Sequence, residues 1–448
     1  MESESILDFC KKKKIKSAEV FIFKGKSFLA EIRNHEVESS KSADTSGVGI
    51  RVIQDNKLGF AYSTSTDKKG IEETIDRAII NSKSNVADEF NILPGPDTTG
   101  SISGNLKNLN IRDSKYDSLT VEQKIEKAKN AEVIARNFDS RIKDVRHSLY
   151  QDISYEVNLI NTYGINCSFS ATLYVLSLLA LASDGTDNEI SGESVEARFF
   201  DELNEEEVGR ESARNAVSLL GARSISSRKI DLVIPPIIGA EIVSVISSML
   251  LADSIAKGKS LFKNKIGDKV ASDQITVIDD GILSKGLGTS PFDGEGVPPQ
   301  KNILIDKGKL INIMHNTYTA SKSNKKSTGN ATRSSFRGLP EVGPTNFFIE
   351  TGTIKKVDLI RKVKDGLYII DVMGMHTVNP ISGDFSVGVS GLLIENGEFS
   401  RPVREITIAG NILEILSKIT VVADDIKFYG GFGSPTFIAR EISLAGRG

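Results

Sequence analysis

Hydrophobic and polar residues alternate along much of this chain with the two-residue period of β-strands, and helical periods appear only in places. In the first 95 residues the pattern predicts a helix over residues 6–14 and another over residues 67–82. Between them it predicts four strands, over residues 20–23, 28–32, 47–53 and 58–62. The first two strands are separated by Lys24-Gly25-Lys26, which we interpret as a hairpin turn.

The same order of elements returns after residue 118. A helix is predicted over residues 121–137, strands over 153–160, 167–181 and 193–200, and a helix over 205–220. The residues between the two sets are rich in Asn, Gly, Ser, Pro and Asp and lack periodicity, as in a linker or a long surface loop. We therefore predict a duplicated α+β unit, with domains at residues 1–95 and 119–226 and a linker at residues 96–118.

After residue 226 the pattern changes to short strands separated by turn residues. Strands are predicted at residues 230–234, 275–278, 302–305, 310–313, 346–350, 367–372, 385–395 and 403–408. Helices are predicted near residues 237–254, 354–364 and 411–418. Many short strands with regular turns are typical of barrels and sandwiches. The predicted fold class is thus α+β, and its C-terminal β-rich domain, barrel-like or sandwich, covers residues 227–448.

Composition narrows the classes of function. The formal net charge is -3 and the pI is about 6.0, which gives no reason to expect a nucleic-acid partner. Cys10 and Cys167 are far apart in sequence, which fits a reducing compartment. The longest apolar run, residues 171–182, is shorter than the roughly 20 residues of a membrane helix. The N-terminus has no signal-peptide pattern. We expect a cytoplasmic protein that binds neither membrane nor nucleic acid.

Residues 374–391 are the strongest candidate for a functional surface, and they read GMHTVNPISGDFSVGVSG. Pro380 disfavours a helical conformation for Asn379, and Gly383-Asp384 predicts a second turn shortly afterwards. A polar, tightly bent segment of this kind suits the wall of a cleft. His376 has two interpretations, because it could line a substrate cleft or partner surface, or be an ordinary hydrogen-bonded loop histidine.

Other polar residues offer weaker candidate chemistry. Asp279 and Asp280 are best explained by a turn, and neighbours on a strand would point to opposite faces. Asp293-Gly294-Glu295 has part of a calcium-loop pattern but lacks the remaining oxygen ligands. His315 follows a predicted strand, and we expect it in a surface turn. The sequence contains neither a GxxxxGK phosphate loop nor a GxSxG nucleophile elbow.

Several pieces of the chain resemble the TldD/PmbA family, proteins once described as modulators of DNA gyrase and later as metallopeptidases. The pieces are GVGIRV (47–52), VIDDG (277–281), PFDGEGVP (291–298), STGNA (327–331), residues 374–391 and PVREITIAGN (402–411). They occur in family order over nearly the whole chain. The resemblance implies an N-terminal α+β part and a C-terminal barrel-like β part.

The active branch of this family carries His-Glu-x-x-x-His on the helix after the first C-terminal strand, and a cysteine ligand near the C-terminus. A catalytic zinc usually takes three protein ligands and leaves one position for water. By alignment Ala240 and Val245 stand at the histidine positions, Glu241 remains, and no cysteine follows Cys167. The resemblance therefore implies the PmbA branch, also called TldE, which lacks the metal site and pairs with a TldD-type chain.

From this resemblance we expect a non-catalytic subunit of a heteromeric zinc metallopeptidase that acts on unfolded peptides. This chain would hold no metal and no catalytic residue, and the partner chain would bind the zinc. The residues expected to line a cleft or interface are Glu241, Thr328, Asn330, His376, Asn379 and Asp384. Glu241 could instead be a surviving general base, or a carboxylate of the kind favoured in the first turn of a helix.

Two alternatives stay open at this point. The chain could be a homo-oligomeric peptide-binding or scaffold protein without hydrolase activity. A sister chain with His-Glu-x-x-x-His in the same genome would favour the heteromeric subunit over that alternative. A weaker alternative is an independent metal hydrolase that uses carboxylates.

Overall fold

Residues 3–95 and 108–447 are described by a computed structural model. Their N-terminal part forms a six-stranded antiparallel sheet with the strand order β3-β2-β1-β4-β5-β6. The strands, in chain order, are β1 (Ser17–Arg33), β2 (Glu36–Gln54), β3 (Lys57–Ser63), β4 (Ile142–Asn161), β5 (Asn166–Ser183) and β6 (Asn188–Ala197).

The two predicted α+β units share this one sheet. Strands β1–β3 come from the first unit and β4–β6 from the second, and β1 pairs with β4 along 14 residues, from Glu19 opposite Asn161 to Ile32 opposite Ser148. Two apolar cores lie between the sheet and its helices. The helices are α1 (Ser3–Lys12) and α2 (Lys68–Lys83) over one half, and α3 (Val121–Phe138) and α4 (Glu205–Leu219) over the other.

The predicted hairpin turn at Lys24-Gly25-Lys26 is wrong, because β1 runs through it without interruption. Gly25 pairs with Thr45 of β2 on one side and with Tyr155 of β4 on the other. Pairing on both sides of a long strand outweighs the local turn preference of a single glycine. The missing side chain at Gly25 leaves room for the Phe23 ring, which would lie 3.1 Å from a Cβ atom there.

Residues 96–107 of the predicted linker lie outside the described residues. The part that follows them packs against the sheet, since Leu109 and Ile111 are buried and the Ile111 carbonyl accepts a hydrogen bond from Thr172 N at 2.9 Å. A 3₁₀ turn at Tyr116–Ser118 then leads into α3, where Thr120 and Gln123 form a capping box. Residues 108–118 thus belong to the packed structure of the N-terminal part.

A closed five-stranded barrel forms the centre of the C-terminal part, which confirms the prediction of a β-rich, barrel-like domain. Its circular order is β7-β14-β15-β16-β20, and β16 and β20 close the ring at Ile406–Gly446 and Ile408–Leu444. Apolar side chains fill its interior. The strands are β7 (Arg228–Ile234), β14 (Asp365–Met373), β15 (Asp384–Glu395), β16 (Glu398–Asn411) and β20 (Phe437–Gly446), with β17 (Ile419–Val422) paired to β20.

A second six-stranded sheet of shorter strands accompanies the barrel, in the order β10-β9-β8-β13-β19-β18. Its strands are β8 (Val277–Asp280), β9 (Lys301–Asp306), β10 (Lys309–Leu310), β13 (Phe347–Ile349), β18 (Lys427–Tyr429) and β19 (Phe432–Ser434). A two-stranded pair joins β11 (Ala331–Thr332) and β12 (Glu341–Val342). The C-terminal helices are α5 (Pro236–Met249), α6 (Ala252–Ala256), α7 (Thr317–Lys322), α8 (Lys356–Arg361) and α9 (Ile412–Ser417).

None of the helices in the described part of the chain is both long enough and apolar enough to cross a membrane.

Candidate functional site

Helix α5 follows the first C-terminal strand, where the family resemblance expects a metal-binding helix. The helix begins directly after β7, because Pro236 stands in its first turn, where a missing N–H costs no hydrogen bond. Ile238 and Ile242 bury their side chains in the barrel core. Gly239 brings the helix close to β19, since a Cβ atom at this position would overlap the Ser434 side chain.

The side chains at the two expected ligand positions do not fit a zinc ion. Ala240 is buried, and Val245 is partly buried against the apolar core. Methyl and isopropyl groups have no lone pair for a metal, and Glu241 alone is not a zinc site. Within residues 3–95 and 108–447, no group of three or more His, Cys, Asp or Glu side chains could hold a metal ion.

Glu241 lies in an acidic patch with Asp371 of β14 and Glu189 of β6. The residue is exposed, yet its pKa is raised, first because nearby protein partly desolvates the carboxyl group and then because Asp371 is negative. Burial also raises the pKa of Asp371. Burial raises the pKa of Glu189 as well, although Arg404 Nη1 donates a hydrogen bond to Glu189 Oε1 at 2.7 Å. Carboxyl groups in this arrangement can share a proton or attract a cationic group.

The 374–391 segment covers the end of the barrel next to α5. Met375, Val378 and Phe385 contribute to a small apolar cavity of about 40 Å³ together with Ile238 and Ile242 of α5. The segment therefore meets the helix through apolar side chains, and its polar groups lie on the outside.

The polar groups of this segment have different roles. Asn379 Oδ1 accepts a hydrogen bond from Ile381 N at 2.9 Å and so holds the turn. Asn411 Nδ2 donates to Asp384 Oδ1 at 2.9 Å, and this hydrogen bond lowers the pKa of Asp384. His376 lies exposed on a 3₁₀ turn, Met375–Thr377. Asn379 and Asp384 thus shape the segment, and His376 faces solvent in this chain.

Thr328 and Asn330 lie just before β11 and belong to a buried polar network beside the second sheet. Asn330 is fully buried, and its Nδ2 donates to Asp279 Oδ2 at 2.6 Å and to the Gly343 carbonyl at 3.1 Å. Thr328 Oγ1 accepts a hydrogen bond from His315 N at 2.7 Å. The side chain of Thr328 also lines a large cavity, whereas Asn330 holds strands and loops together.

Two expectations about polar residues are wrong. Asp279 and Asp280 were expected in a turn, but they lie in strand β8 and are buried. The turn begins only at Gly281, and Asp280 Oδ1 accepts a hydrogen bond from Ile282 N at 3.1 Å. Burial raises the pKa of Asp279 to about 6, even though Thr345 N and Asn330 donate hydrogen bonds to it. His315 was expected in a surface turn, but it is only 1% exposed. All three residues are covered by segments distant in sequence, and the residues beside them in the chain do not reveal this burial.

A buried cluster of charges between the N-terminal sheet and the C-terminal part was missed by sequence reasoning. Arg51 Nη2 donates to Glu19 Oε2 at 2.7 Å, and Arg51 Nη1 donates to Glu295 Oε1 at 2.9 Å. Arg333 forms a further ion pair with Glu19, and none of the four side chains is more than 7% exposed. The sequence feature that could have indicated this cluster is Arg51 itself, a charged residue inside the apolar strand GVGIRV.

Asp293 borders this cluster and accepts hydrogen bonds at Oδ1 from Glu295 N and Val297 N, both at 2.9 Å. Burial, followed by the charge of Glu295, raises the pKa of Asp293 to about 7. The DGEG segment thus forms a buried turn in which Glu295 is held by Arg51, and it is not a calcium loop.

The comparisons with known proteins agree with this architecture. Models of the PmbA/TldA metallopeptidase family match the chain as domain 1 over residues 18–82, as the central domain over residues 114–220 and as the C-terminal domain over residues 227–446. A metalloprotease TldD homolog of Buchnera aphidicola is 30% identical, and the match covers 90% of this chain and 84% of the relative. The metalloprotease PmbA of Escherichia coli O157:H7 is 26% identical, with 96% and 92% covered.

Solved structures show the same fold. A crystal structure of a putative modulator of a DNA gyrase from Thermotoga maritima superposes with a TM-score of 0.89, at 26% identity and 99% coverage of both chains. TldE from Thermococcus kodakarensis superposes with a TM-score of 0.87 over 99% of this chain and 100% of that one, and at 21% identity this likeness concerns the fold alone. From the three family-model matches and these relatives, the chain belongs to the PmbA/TldD metallopeptidase family.

Proposed function

We propose that this chain is a non-catalytic subunit of a heteromeric zinc metallopeptidase of the TldD/TldE type. The observation that carries the proposal is the chemistry of α5, where Ala240 and Val245 present only aliphatic groups at the expected ligand positions. Cys167 is the last cysteine of the sequence, so the third expected ligand is also absent. The zinc and the catalytic glutamate would then belong to a TldD-type partner chain.

The acidic patch and the 374–391 segment would take part in the chamber that this subunit completes. Glu241 and Asp371 lie on the outer side of α5 and β14, and His376 is exposed nearby on the segment that contacts α5. Exposed groups of this kind can contact either a partner subunit or a peptide without taking part in bond cleavage. Asn379 and Asp384 would support the segment rather than contact the substrate.

Binding of an unfolded peptide is supported by an open sheet edge. Strand β2 pairs with β1 from Glu36 to Ile53, with one irregularity near Glu38, whereas β3 pairs only with its second half, from Val48 to Gln54. Among the described residues, the opposite edge of residues 36–46 has no strand partner. An extended peptide can add to such an edge through backbone hydrogen bonds, which do not depend on its sequence.

The proposal is tested by mixing the purified chain with a TldD-type chain from the same genome. We expect a defined hetero-oligomer in size-exclusion chromatography, and cleavage of an unfolded peptide that requires the partner. A stable homo-oligomer that ignores the partner but binds peptide would support the scaffold alternative and contradict the heteromeric subunit.

A further inference from the structure

A cavity of about 920 Å³ lies away from α5, between residues 92–94, the turn at residues 297–300 and the region around α7. One part of its wall is apolar, formed by Ile92, Leu93, Pro94, Val297 and Pro298. Another part is polar and includes His315, Thr317 and Thr328. A cavity of this size accommodates a ligand as large as a short peptide.

His315 is the most unusual residue in the cavity wall. The residue is 1% exposed, and neither ring nitrogen has a hydrogen-bond partner among residues 3–95 and 108–447. Its backbone is fixed, because His315 N donates to Thr328 Oγ1 at 2.7 Å and the His315 carbonyl accepts from the same hydroxyl at 3.0 Å. The Thr317 hydroxyl, two residues further on, is also buried and has no hydrogen-bond partner in the part of the chain that the structure describes. Buried polar groups are rarely left unpaired, since each one loses its hydrogen bonds to water.

The charges around the cavity favour an anion. Lys325 and Lys326 line it and are exposed. Among the described residues, neither lysine has an ion-pair partner and no carboxylate lines the cavity. Glu295 contacts the wall at Thr317, because its Oε2 accepts a hydrogen bond from Thr317 N at 2.8 Å, but its Oε1 is paired with Arg51. Within the described part of the chain, the cavity therefore presents the cations of Lys325 and Lys326 at its edge without a carboxylate in its lining.

We propose that this cavity binds the carboxylate of a short peptide or of an acylated amino acid with an apolar side chain. In the complex, the N–H of neutral His315 and the Thr317 hydroxyl donate hydrogen bonds to the carboxylate. Lys325 and Lys326 supply the opposite charge, and the wall around Leu93 contacts the apolar side chain. Such charge-assisted hydrogen bonds are among the stronger ones in proteins.

The protonation state of His315 agrees with this role. Burial, and then the positive charge of Lys325, lower the pKa of His315 to about 4, so the ring is neutral at pH 7. A weak interaction with the Thr319 backbone opposes this shift, without reaching hydrogen-bond geometry. A neutral imidazole has one N–H donor and one acceptor. A ligand that carries both a carboxylate and an amide N–H can satisfy both nitrogens.

The test is isothermal titration calorimetry of the isolated chain with N-acetyl-Leu-Leu and with its C-terminal amide. We expect the acid to bind about tenfold more tightly than the amide, because one charge-assisted contact accounts for a difference of that order. Equal affinities, no binding of either compound, or displacement of the acid by the same concentration of inorganic phosphate would each overturn the proposal. The test needs neither a partner chain nor peptide cleavage, so its outcome is independent of the proposed subunit function.

Variants separate a ligand-binding role from a structural one. His315→Leu should lower the affinity for the acid about tenfold while the thermal midpoint stays constant or rises, because an unpaired buried polar group has been removed. Lys325→Gln with Lys326→Gln changes only exposed side chains and should also weaken binding of the acid, but not of the amide. Lys362→Gln with Lys364→Gln is the matched control, since both lysines are exposed, lie outside the cavity and have no ion-pair partner among the described residues. Unchanged affinity in the Lys325/Lys326 variant would contradict the proposal even if the His315 variant does not fold.

Discussion

Arg51 of strand β2 donates a hydrogen bond to Glu295 of the C-terminal part, with 2.9 Å between Arg51 Nη1 and Glu295 Oε1. Arg51 also binds Glu19 on the neighbouring strand, so one guanidinium joins two carboxylates that are 244 and 32 residues away in sequence. The contact fixes the N-terminal sheet against the loop between β8 and β9 of the C-terminal part. It therefore fixes the N-terminal sheet relative to the C-terminal part.

Replacing Arg51 by Met should destabilise the fold strongly. Glu19 and Glu295 would remain buried without this partner, and breaking a buried ion pair from one side costs about 3–5 kcal/mol. The measurement is urea-induced unfolding of the wild type and the variant. Arg361→Met is the control, since the pair of Arg361 with Asp358 is exposed and should contribute less than about 1 kcal/mol. Equal losses of unfolding free energy in the two variants would mean that the buried cluster stabilises the fold no more than an exposed ion pair does.

Gly49→Ala should weaken the same junction through sterics. A Cβ atom at residue 49 would overlap the Phe336 carbonyl oxygen, which belongs to the C-terminal part and cannot move without its backbone. We expect a loss of about 1–3 kcal/mol in the free energy of unfolding. Gly338→Ala is the matched control, because the nearest atom to its Cβ, Ser334 Oγ, lies at 3.7 Å. If both variants unfold at the same urea concentration, the close packing of β2 on Phe336 is not what stabilises the junction.

His315 should make stability depend on pH in acid. Its pKa is about 4 in the folded chain and 6.5 when unperturbed, so between these values the unfolded chain binds more protons than the folded one. The contribution of neutral His315 to the free energy of unfolding is complete above pH 6.5. It is lost as the pH falls towards 4, by an amount on the order of 2 kcal/mol. His315→Leu lacks this step, so its unfolding free energy should fall less between pH 7 and pH 4.5 than that of the wild type.

The control for this measurement is His376→Leu, which removes an exposed histidine. The wild type and both variants contain the same carboxyl groups, so the titration of these groups affects all three pH profiles alike. The difference between the two histidine variants isolates the effect of burial. Parallel pH profiles for the wild type and His315→Leu would show that the ring of His315 is not held neutral by the fold.

Restoring the two histidines should not create a peptidase. Ala240→His with Val245→His places two imidazoles on α5, but the cysteine ligand expected from the family resemblance has no counterpart after Cys167. We expect weak zinc binding at most and no zinc-dependent cleavage of an unfolded peptide. Sustained zinc-dependent turnover by the double variant would show that two histidines and Glu241 suffice, and that the ligand count in this proposal is wrong.

The parts of the fold that depend on local sequence could be predicted. Helix α2 was expected over residues 67–82 and is found at Lys68–Lys83, because Asp67 caps it by accepting from Gly70 N at 2.7 Å. Strand β5 was recognised from its apolar run. Such elements depend on neighbouring residues, whose spacing is visible in the sequence.

The parts of the fold that depend on residues distant in sequence could not be predicted. Strand β20 was not predicted, although it closes the barrel by pairing with β7 and β16. The burial of His315 and the ion pairs of Arg51 likewise depend on segments far away in sequence. In the candidate site, the aliphatic side chains of Ala240 and Val245 can be read from the sequence alone. The cavity around His315 cannot, because its wall consists of segments that only the folded chain brings together.

The zinc content of the isolated chain, measured together with its peptidase activity, tests the central claim most directly. After purification in the presence of zinc and gel filtration, elemental analysis should find far less than one zinc per chain, and an unfolded peptide should stay intact. The same peptide should be cleaved after addition of a TldD-type partner that carries His-Glu-x-x-x-His. Stoichiometric zinc and cleavage of the peptide by the isolated chain would contradict a non-catalytic subunit.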